Sequence, residues 1–248
     1  MTLTITTATA TRRGTRPHNA DNSAVHRLPG TGMVAAALVD GIGNSPDVVL
    51  FSRTAAEVAA RVGARRGALL GILAAAEMAA APTTVQVDDG VAVVAVTNAE
   101  SGTTSIAWTG DARIYGWTGT SLIQRSTDQT MGTWLREWGG TAVTLHRDNR
   151  PDETVTVEAG ARVLDDYARS ALGRCSIATV PLCYVRDRVI ILTSDGAHGQ
   201  IRRTTLEALV QDHHADPYAL ADAITAAAMT GPDGYRDDAT CVVLSITG

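Results

Sequence analysis

Four aspartates stand next to apolar runs in this chain, and carboxylates held there could bind a divalent cation. Asp40 closes the run Met33 to Val39 and is followed by Gly41-Ile42-Gly43. Asp111 follows Thr109-Gly110, and Asp195 follows R-V-I-I-L-T-S, with Gly196 after it. Asp237 sits with Asp238 just before Ala239 to Ile246. A buried strand fixes the residue at its end, and Gly41, having no Cβ, lets its own carbonyl approach a ligand closely. Each piece alone is an ordinary turn, since Asp-Gly is a common turn pair. Clustered without cations, four such carboxylates would be electrostatically costly. Together they form a hard, oxygen-rich donor set of the kind that suits Mg²⁺ or Mn²⁺. Two such ions a few ångströms apart could make water a nucleophile and neutralise the charge of a phosphate.

The elements that must position these residues read as follows. Thr2 to Thr9 alternates and is a first strand, Arg12 to Asn22 a loop, Ser23 to Leu28 a second strand and Met33 to Val39 a buried third. Ser45-Pro46-Asp47 is a helix start, with Ser as cap and Pro in the first turn. Helix follows to Ala81, broken at Gly63 or at Gly67, and Pro82 ends it. Strands are expected at Gly90 to Thr97, Thr103 to Thr109, Ala112 to Trp117 and Ser121 to Gln124, in an antiparallel meander. The segment 126–176 is the least regular and reads as a flap or insertion, with a short helix over Met131 to Trp138. Arg188 to Thr193 is a further strand, Thr204 to Asp212 and Pro217 to Met229 are helices, and Ala239 to Ile246 is the last strand. Strand runs and helix runs are segregated, which favours an α+β layered fold over alternating βαβ units. The 248 residues are read as one domain.

Composition narrows the function. The chain is 45% hydrophobic but only 4% aromatic, so its core must be built from Ala, Val, Leu and Ile. Its net charge of −5, without long basic runs, argues against nucleic acid as the main partner. Every basic side chain is Arg, and the missing Lys excludes a P-loop or a Schiff-base lysine. Cys175, Cys183 and Cys241 lack C-x-x-C spacing and read as reduced thiols, which fits the cytoplasm. The N-terminus has no secretory pattern, and the apolar helix Ala68 to Ala81 is too short to span a membrane.

Other motifs carry less. Gly30-Thr31-Gly32-Met33-Val34-Ala35 fits G-x-G-x-x-A but opens a strand, not a helix. No G-x-S-x-G elbow is present. His213-His214 reads as a helix C-terminal cap, His18 and His198 as surface histidines, and Trp134 with Trp138 as pins for the flap. Arg65-Arg66 and Arg202-Arg203 read as solvated faces, and Asp88-Asp89 and Asp165-Asp166 as turn or helix-surface residues.

Seven pieces, in order, resemble the PPM, or PP2C-type, metal-dependent serine/threonine protein phosphatases in their compact bacterial form. They are Arg16-Pro17-His18-Asn19-Ala20-Asp21, Val39-Asp40-Gly41-Ile42-Gly43, Thr109-Gly110-Asp111-Ala112-Arg113-Ile114-Tyr115 and Ser126-Thr127-Asp128-Gln129-Thr130. Ala171-Leu172-Gly173, Thr193-Ser194-Asp195-Gly196 and Asp237-Asp238-Ala239-Thr240 complete the set. The resemblance implies a four-layer αββα sandwich of two antiparallel sheets flanked by helices. It implies that Asp40 bridges two Mn²⁺ or Mg²⁺ ions, with the Gly41 carbonyl on one and Asp195 and Asp237 on the other. Asp111, with Asp195, would hold a third, weaker ion. Arg16 would grip the substrate phosphate, for which its planar fork suits. Asp21 would orient metal-bound water, and a metal-bridging hydroxide would attack phosphorus. The implied partner is a phosphorylated protein, the product of a serine/threonine kinase.

Three positions depart from the family pattern. Ala20 stands where Glu is usual, Ile42 where some relatives carry His, and Asp238 where Asn is usual. Ala20 motivates a second reading, a PPM-fold pseudophosphatase that acts as a protein-binding module. A small-molecule phosphate-ester hydrolase is a third.

Overall fold

The computed structural model describes residues 3–79, 88–146 and 152–248. The chain opens with β1 (Thr4–Arg12), β2 (Asp21–Leu28) and β3 (Met33–Gly41), followed by α1 (Pro46–Arg66) and α2 (Ala68–Ala79). Next come β4 (Gly90–Asn98), β5 (Thr104–Thr109), β6 (Arg113–Trp117) and β7 (Leu122–Gln124). The flap holds α3 (Met131–Trp138), β8 (Ala142–Leu145), β9 (Glu153–Thr156) and α4 (Val157–Val163). Then follow β10 (Leu182–Val185), β11 (Val189–Thr193), α5 (Asp195–His198), α6 (Arg203–His213), α7 (Pro217–Ala227) and β12 (Ala239–Thr247).

Two five-stranded sheets form, in the orders β1-β12-β11-β6-β7 and β10-β5-β4-β3-β2. Their paired strands run antiparallel. The strand β3 shows why they stack. Ala35, Ala37 and Val39 face α1 and α2, while Val34, Ala36 and Leu38 face Ile190, Leu192, Val242 and Leu244 of the other sheet. Both faces are buried, so the strand reads as a continuous apolar run. The outer face of the first sheet is covered by α6 and α7, through Leu206, Val210, Leu220 and Ile224. The result is the expected α+β sandwich with helix, sheet, sheet and helix layers. Each fully buried Leu or Ile in these layers contributes roughly 1.5–3 kcal/mol.

Small residues set the spacing on the α1 side. Ala55, Ala56, Ala59, Ala60 and Gly63 are buried against the sheet. A Cβ at Gly63 would lie 3.3 Å from both Val94 and Val96. Gly63 therefore stays inside α1, and the break falls at Gly67, whose φ of +91° ends the helix. Ser45 caps α1 by accepting the Val48 N–H at 3.1 Å, as the sequence predicts. The expected helix end at Ala81-Pro82 lies outside the described residues.

Other expectations shift. The first strand runs to Arg12, and β2 begins at Asp21, so the predicted loop Arg12 to Asn22 is shorter. The flap is more regular than its sequence suggests: β8 and β9 form a hairpin, and α4 packs against α3. Trp138 is 72% exposed and does not pin the flap. Among the described residues, no helix is long and apolar enough to cross a membrane.

Candidate active site

Both sheets deliver carboxylates to one edge. Asp21, the first residue of β2, stands directly opposite Asp40 near the end of β3. Asp111 lies where the chain passes from β5 of one sheet to β6 of the other. Gly110 makes that passage with a φ of +88°, and a Cβ there would lie 2.1 Å from the Val91 side chain, so only glycine fits. Asp195 opens α5 directly after β11, and Asp237 precedes β12.

Their electrostatics show that the carboxylates lie near enough to feel one another's charge. Burial first, then Asp21 and Asp195, holds the Asp40 carboxyl well above the usual carboxylate range. Burial followed by the charge of Asp237 raises Asp195. Burial, with Asp195 and Asp238 adding, raises Asp21 well above its ordinary value, although Ser194 and Thr240 oppose the shift. Asp111 is pushed up to about 7, chiefly by burial and then by Asp195. These acids share one field, and each makes ionisation of the next more costly.

Arg16 approaches this cluster from the loop between β1 and β2. Its guanidinium forms an ion pair with Asp237 and lies 4.0 Å from Asp238. It stands 6.0 Å from the centre of the Tyr235 ring. Burial works against its charge, but Asp237, Tyr235 and Asp238 outweigh that and raise its pKa. Asp238 is itself buried, and it holds the Arg16 loop by accepting the backbone N–H of Gly14 at 2.7 Å and of Ala20 at 2.9 Å. Ala20 is buried, and its carbonyl accepts the Gly41 N–H at 3.2 Å. Ile42 points to solvent, 49% exposed.

The donor chemistry fits a hard divalent cation. The side chains offered are carboxylates, and the buried Asp21 Oδ2 has no hydrogen-bond partner. Asp237 is engaged with Arg16. Among the described residues, no three His, Cys, Asp or Glu side chains are gathered closely enough to hold a metal as they stand.

The structure adds residues that the sequence reading did not place here. A cavity of about 250 Å³ beside Asp111 and Asp195 is also lined by Asp128, Arg136, Asp165 and His198. Arg113 grips Asp128 with its fork, at 2.9 and 2.6 Å. Arg136 of α3 does the same to Asp165, at 2.6 and 2.8 Å. Asp165 therefore braces the flap beside the site, and no periodicity around it signals that role. His198 is buried, not on the surface, and lies 3.0 Å from the Thr193 hydroxyl. Burial and then Arg113 push its pKa well down, so its imidazole is neutral. Arg203 is likewise not a simply solvated residue. It donates to the Leu122 carbonyl at 2.5 Å and lies over the Tyr115 ring. The three cysteines are free thiols, and burial raises the pKa of each.

The fold is that of the PPM phosphatases, as solved structures show. A bacterial serine phosphatase superposes with a TM-score of 0.72 and 15% identity over 99% of both chains. The PPM Ser-Thr phosphatase MsPP from Mycobacterium smegmatis gives 0.69 and 18% over 97% of both. The serine/threonine phosphatase Stp1 from Staphylococcus aureus gives 0.72 and 16% over 100% of this chain and 98% of its own. No protein-family model and no curated protein sequence matches the chain. The chain thus has the PPM-type phosphatase fold.

Proposed function

We propose that this chain is a divalent-metal-dependent phosphatase of the PPM class that hydrolyses phosphoserine or phosphothreonine in proteins. The observation that carries this reading is the placement of Asp21, Asp40, Asp111 and Asp195 at one edge of a PPM-type sandwich, where Arg16 pairs with Asp237 and the acids feel one another's charge. Residues 1–248 act as one catalytic domain, with the flap bordering the cleft. Asp40, the Gly41 carbonyl, Asp195 and Asp237 would hold two Mn²⁺ or Mg²⁺ ions, and Asp111 with Asp195 a weaker third. Bound there, such ions would supply water acidic enough to attack phosphorus and would offset the charge of the phosphate.

The chain's own residues would do the rest. Arg16 exchanges Asp237 for the phosphate, presenting two parallel N–H donors to its oxygens. The unpartnered Asp21 Oδ2 would accept from the attacking water and fix its direction. Tyr235 would limit the swing of the guanidinium. The substrate class implies a serine/threonine kinase upstream, and the free thiols support a cytoplasmic setting.

Ala20 and the Arg16–Asp237 ion pair favour a second reading, a pseudophosphatase that binds partners without turnover. Hydrolysis of an aryl phosphate under Mn²⁺ titration separates the two. Metal-dependent turnover that Asp195→Asn reduces to background supports the enzyme. Equal rates in both proteins, or no turnover at any Mn²⁺ concentration, reject it.

A further inference from the structure

Two indoles on α3 are left facing solvent. Trp138 is 72% exposed and Trp134 37%. They wall a groove of about 530 Å³ together with Trp108, Arg169 and Pro181. Trp108 is buried and donates its indole N–H to the Thr127 carbonyl at 2.9 Å, which fixes that wall. The Arg169 guanidinium lies 5.9 Å from the Trp134 ring centre, a cation–π contact. Exposed tryptophans side by side leave apolar surface in water, and in interfaces such residues are where binding energy concentrates.

The groove is continuous with the candidate active site. Asp128, Thr130 and Thr133 border both the groove and the acidic cavity that contains Asp111 and Asp195. A chain that places a phosphorylated side chain at the acids would reach the indoles with its neighbouring residues. Eleven residues line the groove, fewer than the roughly 20–30 a side of a stable dimer interface. Its volume is that of a site for a few side chains. Asp128 is paired with Arg113, and Glu137 and Arg169 balance along the walls, so the groove suits a neutral, apolar segment.

We propose that this groove binds the peptide segment flanking the phosphorylated residue of a protein substrate, seating an apolar or aromatic side chain against Trp134 and Trp138. The proposal rests on the phosphatase reading and names how that site would select among phosphoproteins.

The test compares three substrates with wild type and with Trp138→Ala and Trp134→Ala. The substrates are an aryl phosphate and two short phosphothreonine peptides, one with phenylalanines beside the phosphothreonine and one with alanines there. In each variant, kcat/KM for the phenylalanine peptide is expected to fall about tenfold, mostly through KM. The rate on the aryl phosphate should stay within about twofold, and the alanine peptide should be a poor substrate for all three proteins. Equal losses on the peptide and the aryl phosphate would mean that the indoles only support the flap, and the proposal fails. Unchanged peptide kinetics in both variants also overturn it, as does a stable dimer that Trp138→Ala dissociates. If wild type hydrolyses none of the three, the phosphatase reading falls. The groove is then judged by titrating indole fluorescence with the unphosphorylated phenylalanine peptide. Saturable quenching that Trp138→Ala removes supports the groove, and its absence rejects it.

Discussion

Ala20 donates its backbone N–H to Asp238 at 2.9 Å, across 218 positions of sequence, and the other Asp238 oxygen takes Gly14 at 2.7 Å. A single buried carboxylate thus fastens the loop that carries Arg16 to the strand end that carries Asp237. An amide has one acceptor where a carboxylate has two. Asp238→Asn should therefore leave one of the two buried N–H groups unpaired, at about 1–3 kcal/mol. Urea denaturation should show a lower midpoint with an unchanged slope, and the amides of Gly14 or Ala20 should exchange faster. An unchanged midpoint and unchanged exchange would contradict the fastening role.

Ala20 is only 1% exposed, so a larger acidic side chain there has no solvent to enter. Ala20→Glu should destabilise the metal-free protein by about 2–4 kcal/mol, because it adds a buried charge beside Asp238. The double variant Ala20→Glu/Asp238→Asn should lose less than the sum of the two single changes, since one charge is removed as the other is added. Mn²⁺ should raise the melting temperature of Ala20→Glu more than that of wild type. Strict additivity in the cycle would show that positions 20 and 238 do not interact.

Stability should depend on pH in an unusual direction. Asp111 moves from 3.8 to about 7, chiefly by burial and then by Asp195, and Asp40 and Asp21 are also raised. Between those values the folded state holds protons that the unfolded state has released, so stability falls as pH rises through that window. With chelator present, the melting temperature should be several degrees lower at about pH 8 than at about pH 5.5. Millimolar Mn²⁺ should recover more of it at the higher pH, where the carboxylates are free of protons. A flat profile in chelator would mean that the acids do not share a field.

Gly71 offers a test in which two effects have opposite signs. Helix propensity favours Ala over Gly by about 1 kcal/mol. A Cβ on Gly71, however, would lie 2.6 Å from the Ala59 carbonyl oxygen, in the contact between α1 and α2. Backbone cannot yield as a side chain does, so Gly71→Ala should destabilise by about 1–3 kcal/mol net. A stabilised variant would show that the two helices can separate without penalty.

Much of the layering was readable from residue pattern alone. Strand β3 reads as buried because both its faces are covered, and α1 announces its start through Ser45 and Pro46. The aspartates were legible because they stand at the ends of such strands. Asp21 was read into a loop because β2 lies at a sheet edge and opens with polar Asp21-Asn22-Ser23, which mask the alternation. The β8–β9 hairpin escaped notice because its strands are four residues each and half exposed. The ties from Asp238 to Gly14 and Ala20, and from Asp165 to Arg136, depend on side-chain directions between distant segments. No local pattern encodes them.

The pairing of β1 with β12 runs from Thr4 opposite Thr247 to Arg12 opposite Ala239. Strand β1 thus cannot join its sheet until β12, far along the chain, has been made. Contacts of such long sequence separation make for slow assembly. Arg16 and Asp237 flank this same closure, one just after β1 and the other just before β12. A chain cut before Asp237 and β12 therefore cannot gather the full acid cluster, and the chemistry proposed for it would be lost with that strand.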